Sequence, residues 1–512
     1  MPTIHRSDRV ASAAGAAALL PRSGLIAETE LSAGEFIATA GPVTGYRRTV
    51  IVRDLDEGRS DVEQTVEYRL AVPLVGWLLA RAVRTRVGRI AADDRSPWWG
   101  PPDHLTPEAW AALSALGVVA ATIGYLSTLL TQTVTYSAAE FGAGPGAQGV
   151  ALAVVRGDIV LSIVLMRLAD RRGRRIVVVG GGVIGALLTA AGSAAPSLAW
   201  LAASQVLARG FVTASSIAAA VLVAEAMPSN ARAWAIGIIA MATALGAGAC
   251  VLALPLAGLG VGGWRLLYLG ALGWLVLIAL AQRHLVESPR YVERAAERVL
   301  SVRTPQRFRE LWGRRLALLS AAFFLLQLFI TPATQFRNEF LRHERGFSAG
   351  RISLYTVVTF LPGAIGIVVG GRLADSRGRR RVAIVAVLGA AVGGTIGYSV
   401  SGWPMWIASS AASLTGAAVI PALSVYGPEL FGTDLRGSAN GVLSGAGRVG
   451  SVIGLLVAGS LSQTLGRFGP AFAVLAIGPI ALAVLIFVGF PETAHRALED
   501  LSPDDDPSPS PA

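Results

Sequence analysis

The chain contains no lysine: all 44 of its Lys+Arg residues are arginine. A phosphate-binding loop of the Gly-x-x-x-x-Gly-Lys-Ser/Thr kind is therefore excluded. Cysteine is nearly as scarce. Cys250 stands alone in an apolar run, which excludes an internal disulfide framework and any multi-cysteine metal site. Of five histidines, His5, His104, His284 and His495 fall outside the apolar runs and His343 falls in a connection. No nucleophile–base constellation emerges, so neither enzyme chemistry nor a cofactor is expected. Charge is sparse too, at 15% of 512 residues against 53% hydrophobic. A soluble chain of this length carries more charge. The arginines accompany abundant Ala and Gly, which reads as coding bias and gives no ground for a nucleic-acid partner.

What is present is a series of apolar segments of about twenty residues, each long enough to cross a hydrocarbon core as a helix. Six are expected near 109–131, 148–169, 176–195, 199–226, 233–257 and 263–282. Six more follow near 316–336, 349–374, 381–400, 404–427, 438–462 and 470–490. Arginines crowd the connections after the second span (Arg171 to Arg175), after the sixth (Arg283 to Arg315) and after the eighth (Arg377 to Arg381). By the positive-inside rule, those connections and both termini are expected in the cytoplasm of a multi-pass plasma-membrane protein. One connection, 337–346, dissents: it carries Arg337, Arg342 and Arg345 but is expected outside, with Glu339 and Glu344 accompanying them.

Residues 1–108 contain no span. "ASAAGAAALL" is short for a signal-peptide core, "RRTVIVRDL" and "VEQTVEYRLAV" hint at strands, and "VGWLLARAVRTRVGRI" is basic and amphipathic. A small cytoplasmic α+β appendage lying on the membrane is expected, with a ligand-sensing domain as the sharper alternative. Thr106, Pro107 and Glu108 form a helix-start signature for the first span, and Trp98, Trp99 and Trp110 suit an interfacial belt. Residues 283–315 read as a cytoplasmic linker between halves 109–282 and 316–490. The Pro/Asp/Ser-rich end, 491–512, reads as disordered.

The sequence then repeats itself. "RLADRRGRR" begins at Arg167 and "RLADSRGRR" at Arg372, so Asp170 and Asp375 stand 205 positions apart. Glu225 and Arg232 recur as Glu429 and Arg436, each pair 204 apart. Near-constant offsets across two sets of six spans point to two parallel six-helix halves related by an axis along the membrane normal, a transporter architecture.

Over roughly 105–500 the chain resembles the major facilitator superfamily. Gly371 to Arg380 matches that family's loop signature after the second helix of a half, Gly-x-Leu-Ala-Asp-Arg-x-Gly-Arg-Arg/Lys; the first copy has Met166 in place of the initial Gly. Within the family it is most similar to the sugar porter and metabolite–proton symporter branch. "VESPRYV" (Val286 to Val292), "GGWRLLYL" and "PETAHRALEDL" (Pro491 to Leu501) carry that likeness. The resemblance implies an all-α membrane fold of about 12 helices and a cytoplasmic gate that closes when the protein opens outward. The gate residues expected are Asp170, Arg174, Arg175, Glu225 and Arg232 in one half, and Asp375, Arg379, Arg380, Glu429 and Arg436 in the other. Each Arg pair can reach Glu225 or Glu429; setting membrane topology is the plainer reading of the same arginines.

Three functions fit: a proton-coupled symporter of a small organic acid or sugar-like metabolite, a proton-driven exporter of drugs or metabolites, and a non-transporting membrane sensor. Drug antiporters of this family carry a Gly-Pro-rich motif in the fifth helix. "GIIAMATALGAGACVLALPLAG" lacks it, which favours import. Tyr125, Thr128 and Gln132 in the first span, Gln327 in the seventh, Tyr355 in the eighth and Tyr426 in the tenth are candidate substrate contacts, or equally core residues with satisfied polar groups. Their sparsity favours an acid over a hexose. Arg209, well inside the fourth span, is a candidate substrate-anion contact because a bare arginine there costs several kcal/mol. Sugar porters oppose it with an Asp in the first helix; "IGYLSTLL" has none. Asp158 in the second span lies 12 residues before Asp170, and Arg448 in the eleventh lies 12 after Arg436, both about 18 Å from the loop end. They are the candidate proton carrier and its partner, with a static ion pair as the plainer reading. Arg156 is expected to point about 200° away from Asp158 on a continuous helix. The expected partners are a small-molecule substrate, protons and the lipid bilayer, with the chain working as a monomer.

Overall fold

The computed structural model describes residues 3–55, 58–90, 97, 99–285, 287, 313–424 and 436–490, with only the backbone of Asp170, Ala224, Ser229, Ala233, Arg314, Asp375, Pro421, Ala422, Ser424 and 436–440. The linker residues 288–312 and the tail 491–512 lie outside the described residues.

The first ninety residues form a five-stranded antiparallel sheet of β1 (Thr3–Ala11), β2 (Ala27–Ser32), β3 (Glu35–Ala40), β4 (Val43–Leu55) and β5 (Arg59–Leu70), in the order β1-β5-β4-β3-β2. Two helices accompany it, α1 (Ser12–Ala18) and α2 (Gly76–Val87). α1 is formed by the alanine-rich segment weighed above as a leader, and it buries Gly15 and Ala18. β5 alternates buried Val62, Gln64, Val66 and Tyr68 with more exposed neighbours, as a half-buried strand must. One buried charge is fully employed. Arg48 meets Glu28 at 2.6 Å and donates to the carbonyls of Ala18 and Leu20. The same carboxylate accepts from the Tyr46 hydroxyl, and burial beside it pushes that phenol above its usual range. The sheet docks on the bundle: Gly41 N–H donates to Leu105 O at 2.8 Å, and Ala71 and Val72 share a core with Leu105 and Trp110.

Among the described residues, twelve spans follow. In the first half they are Pro107–Glu140; Pro145–Val155 continued by Asp158–Arg172; Arg174–Ala191; Leu198–Ala226; Arg232–Ala253; and Trp264–Leu269 continued by Ala271–Ala281. In the second half they are Arg314–Gln335, Ala349–Arg377, Arg379–Ser399, Trp403–Ser424, Arg436–Leu465, and Phe468–Leu475 continued by Ile477–Gly489. Eleven are long and apolar enough to cross a membrane. The other, Trp403–Ser424, has 22 residues and no charged side chain, enough for about 33 Å of helix. The caps are local. The Thr106 and Ser197 hydroxyls accept from Ala109 and Trp200 N–H, and the Ser348 hydroxyl accepts from Arg351 N–H.

The halves repeat their packing: the first span lies on the fifth and the seventh on the eleventh, while the third lies on the fourth and the ninth on the tenth. Small residues permit this, because apolar side chains gain nothing by leaving lipid and tight backbone approach does the work. A Cβ on Gly246 would stand 1.8 Å from Ala121 O, and one on Gly450 2.2 Å from Phe324 O.

Three expectations change. The connection 337–346 is not a plain loop: helical turns at Arg337–Glu339 and Phe340–Glu344 carry the seventh span onward to Glu344. Its arginines lie on aromatic rings, Arg337 on Phe360, Arg342 on Tyr136 and Arg345 on Phe340. Such contacts explain how three cations sit where the charge rule disfavours them. Trp110 does not join an interfacial belt; it is buried edge-to-face on Trp234, whose indole N–H donates to Trp99 O. The second span, expected to be one helix, breaks at Arg156–Gly157.

Candidate functional site

That break builds the centre of the molecule. Arg156 and Gly157 leave the α-helical pattern, donating to Ala153 and Val154 three residues back. The chain then restarts at Asp158, whose carboxylate sits at the positive end of the new helix. Asp158 is 3% exposed. One carboxylate oxygen pairs with the Arg448 guanidinium from the eleventh span, and the other accepts from Thr213 in the fourth at 2.9 Å. Arg448 also donates to Arg156 O at 3.3 Å. The two candidates at matched depth are thus in contact across the boundary between halves.

The break also removes the ground for the reading of Arg156, since a 200° separation holds only along a continuous helix. The Arg156 carbonyl accepts from Arg448, and among the described residues its guanidinium forms no ion pair with Asp158. Arg209 is one helical turn before Thr213, hence on the face that meets Asp158. It donates to Ser127 O in the first span at 2.7 Å. A backbone carbonyl thus takes the place of the first-helix carboxylate that the chain lacks. The fourth span can come this close because Gly210 lies on Leu161, where a Cβ would be 2.7 Å from that side chain.

The other sequence candidates divide. Tyr125 donates to Leu267 O at 2.8 Å and lies on Trp274, joining the first and sixth spans within one half. Tyr355, 1% exposed, donates to Ser409 and lies edge-on to Trp406. Thr128 is half-buried in the first span. Gln327 accepts from Thr331 at 3.2 Å. Gln132 belongs to a different place, where Asn338 Nδ2 donates to both its backbone and side-chain oxygens at 2.9 Å. Tyr426 lies outside the described residues.

Gln132 and Asn338 open a second layer of contacts between the halves, at the end remote from the arginine-rich loops. Thr135 donates to the buried carboxylate of Glu339, which has His343 at 3.8 Å, and Arg342 covers Tyr136. Ser353 donates to Val251 O at 2.8 Å, and Gly149 and Gly459 bring the second and eleventh spans into backbone contact. Between described residues, every hydrogen bond joining the halves lies at the Asp158 level or on this latch side of it. Sequence reasoning missed Asn338 and Glu339 because it assigned them to a loop.

At the loop end, Arg174 pairs with Glu225. Glu287, from the "VESPRYV" stretch, accepts from the backbone N–H groups of Arg174 and Arg175 at 3.0 and 3.1 Å, capping the third span. Arg175 also donates to Gln282 O at 3.1 Å, and Arg232 to Met227 O at 3.2 Å. In the second half Arg380 donates to Phe487 O and lies over its ring, and Arg379 is also partnered. Glu429 and the side chains of Asp170, Asp375 and Arg436 lie outside the described residues. Glu287 was legible as part of a quoted motif, but its capping role was not.

A family model described as Major Facilitator Superfamily matches residues 110–340 and 333–510. The chain belongs to the major facilitator superfamily. Among solved structures, the major facilitator fold seen here is similar to the inward-open xylose transporter XylE from E. coli, at 17% identity over 77% of this chain and 99% of that one, with a TM-score of 0.63. The nucleoside transporter NupG gives 15% identity over 74% and 100%, with a TM-score of 0.64. A bacterial homolog of the human lysosomal transporter Spinster, inward-facing and unoccupied, gives 18% over 75% and 95%, with a TM-score of 0.60. No curated protein matches. At these identities the likeness shows the fold of a multi-pass membrane transporter.

Proposed function

We propose that this major facilitator protein is a proton-coupled symporter of a small organic acid, working by alternating access as a monomer in the plasma membrane. The observation that carries the reading is the Asp158–Arg448 contact between halves, at the helix break of the second span. A buried carboxylate facing an arginine favours its ionised form; separated from that arginine in an apolar site, it favours a proton. Rocking of the halves changes that separation, so the same group loads a proton in one state and releases it in the other. One of the similar solved structures is a D-xylose-proton symporter, which supports proton coupling. The arginine-rich loops favour a cytoplasmic position for the loop end and both termini. On that reading the latch closes the outer face and the conformation faces inward.

Asp158→Asn in proteoliposomes tests it. The expected outcome is loss of accumulation driven by an imposed pH gradient, with counterflow exchange of substrate retained. Accumulation that still follows the pH gradient in Asp158→Asn excludes the proton role. Outward, gradient-driven movement in the wild type favours the exporter.

A further inference from the structure

The charges at the centre do not balance. Asp158 is paired with Arg448, yet two more arginines stand beside it: Arg156, whose carbonyl accepts from Arg448, and Arg209, one turn before the Thr213 that donates to Asp158. Arg156 is half-buried and its guanidinium has no hydrogen-bond partner among the described residues; the Arg209 guanidinium has a single backbone carbonyl, which carries no full charge. With Asp158 ionised the cluster is formally +2, and with Asp158 protonated it is +3. Uncompensated charge at membrane depth costs several kcal/mol. A neutral sugar leaves all of it in place, and a monoanion leaves at least one positive charge. A dianion brings the ionised site to zero and the protonated site to +1. Guanidinium groups also suit this task, since their forked donors grip carboxylate or phosphate in two-point fashion. The helix restarting at Asp158 adds its positive end to the same spot.

We infer that the central site recognises a doubly negative organic acid, a dicarboxylate or a phosphate monoester, held by Arg156 and Arg209 while Asp158 and Arg448 handle the proton. Arg209, anchored on Ser127 O in the first span, keeps further guanidinium donors beyond that bond. Arg156 sits at the helix break, where its backbone is already tied to Arg448 of the other half. Both arginines belong to the first half, so a bound dianion stays with that half while Arg448 of the other half moves relative to it. The inference deepens the organic-acid reading above and rests on it.

The test is equilibrium binding to the full chain in lipid nanodiscs, with charge-matched probes. Succinate is compared with butyrate, phthalate with benzoate, and glycerol 3-phosphate with glycerol. At least one dianion is expected to bind about tenfold or more tightly than its partner of lower charge. Arg156→Gln is expected to collapse that ratio toward unity, and Arg156→Lys, which keeps the charge and loses the fork, to fall between. Equal affinities within every pair, tighter monoanions, or no binding by any dianion would overturn the inference, as would a ratio unchanged in a folded Arg156→Gln. The symport reading is scored separately, by pH-driven uptake in proteoliposomes. Uptake of butyrate or benzoate without dianion preference leaves symport standing and removes the dianion. Dianion binding of the expected ratio without pH-driven uptake does the reverse.

Discussion

The two halves agree at their loops and disagree at their centres. Gly173 and Gly378 end the second and eighth spans with nearly the same backbone, φ 102° and ψ 152° against φ 100° and ψ 134°. The break in the second span at Gly157 falls opposite Pro362, 205 positions later, inside the eighth. At the same offset, however, Arg156 and Asp158 correspond to Leu361 and Gly363, and at 204 Arg209 corresponds to Ser413. What the halves share is what backbone geometry demands: a reversal, tight helix contacts and a weakened helix at mid-depth. What they do not share is charge. Three of the four central ionised groups belong to the first half, and the second supplies only Arg448. On the proposed mechanism, symmetry serves the rocking, and asymmetry makes one wall of the site chemically distinct.

The comparison breaks first where the asymmetry is concentrated. Arg448→Gln leaves Asp158 buried with Thr213 as its remaining partner, a loss on the order of 3 kcal/mol, so proteoliposome uptake is expected to fall at least roughly 100-fold. Ser413→Ala, at the counterpart of Arg209, is expected to change uptake less than about twofold. Equal effects would dissolve the distinction between halves. The loops provide the converse measurement. Gly173→Ala and Gly378→Ala each force a side chain into a left-handed backbone region, costing about 1–2 kcal/mol. The two apparent melting temperatures should drop by the same few degrees; a clear difference would show that the repeat is not mechanically equivalent.

Finer effects follow at the two ends. Glu225→Gln weakens the Arg174 contact and Glu287→Gln weakens the cap of the third span, each by about 1 kcal/mol. Transport rates are expected to change severalfold with substrate affinity constant, because these groups lie at the loop end and act on the inward–outward balance. A matching loss of affinity would move them into the site. The smallest effect belongs to the latch. Thr135→Val leaves Glu339 with His343 and no hydroxyl donor, and tips the balance toward opening by about 1 kcal/mol. A reporter at the buried position Ser137→Cys, in a Cys250→Ser background, should then label about fivefold faster. An unchanged labelling rate would remove Thr135 from the latch.

The sequence by itself determined the membrane fold, the duplication and the matched depth of Asp158 and Arg448. These depend on local or periodic signals: apolar length, turn residues, and rise per residue along a helix. It could not say that the second span breaks at Arg156, because Gly157 weakens a helix no more than Gly181 and Gly246, which lie inside unbroken helices. It could not place Arg342 on Tyr136 or Glu339 beside Thr135, since ring and hydroxyl come from a span some two hundred positions away. Tertiary structure alone decided that Arg209 would rest on a carbonyl rather than a carboxylate, and that Asp158 would meet Arg448 and Thr213 from two other spans. A charge in a sequence has a position along one helix; its compensation depends on which other helices fold against that helix.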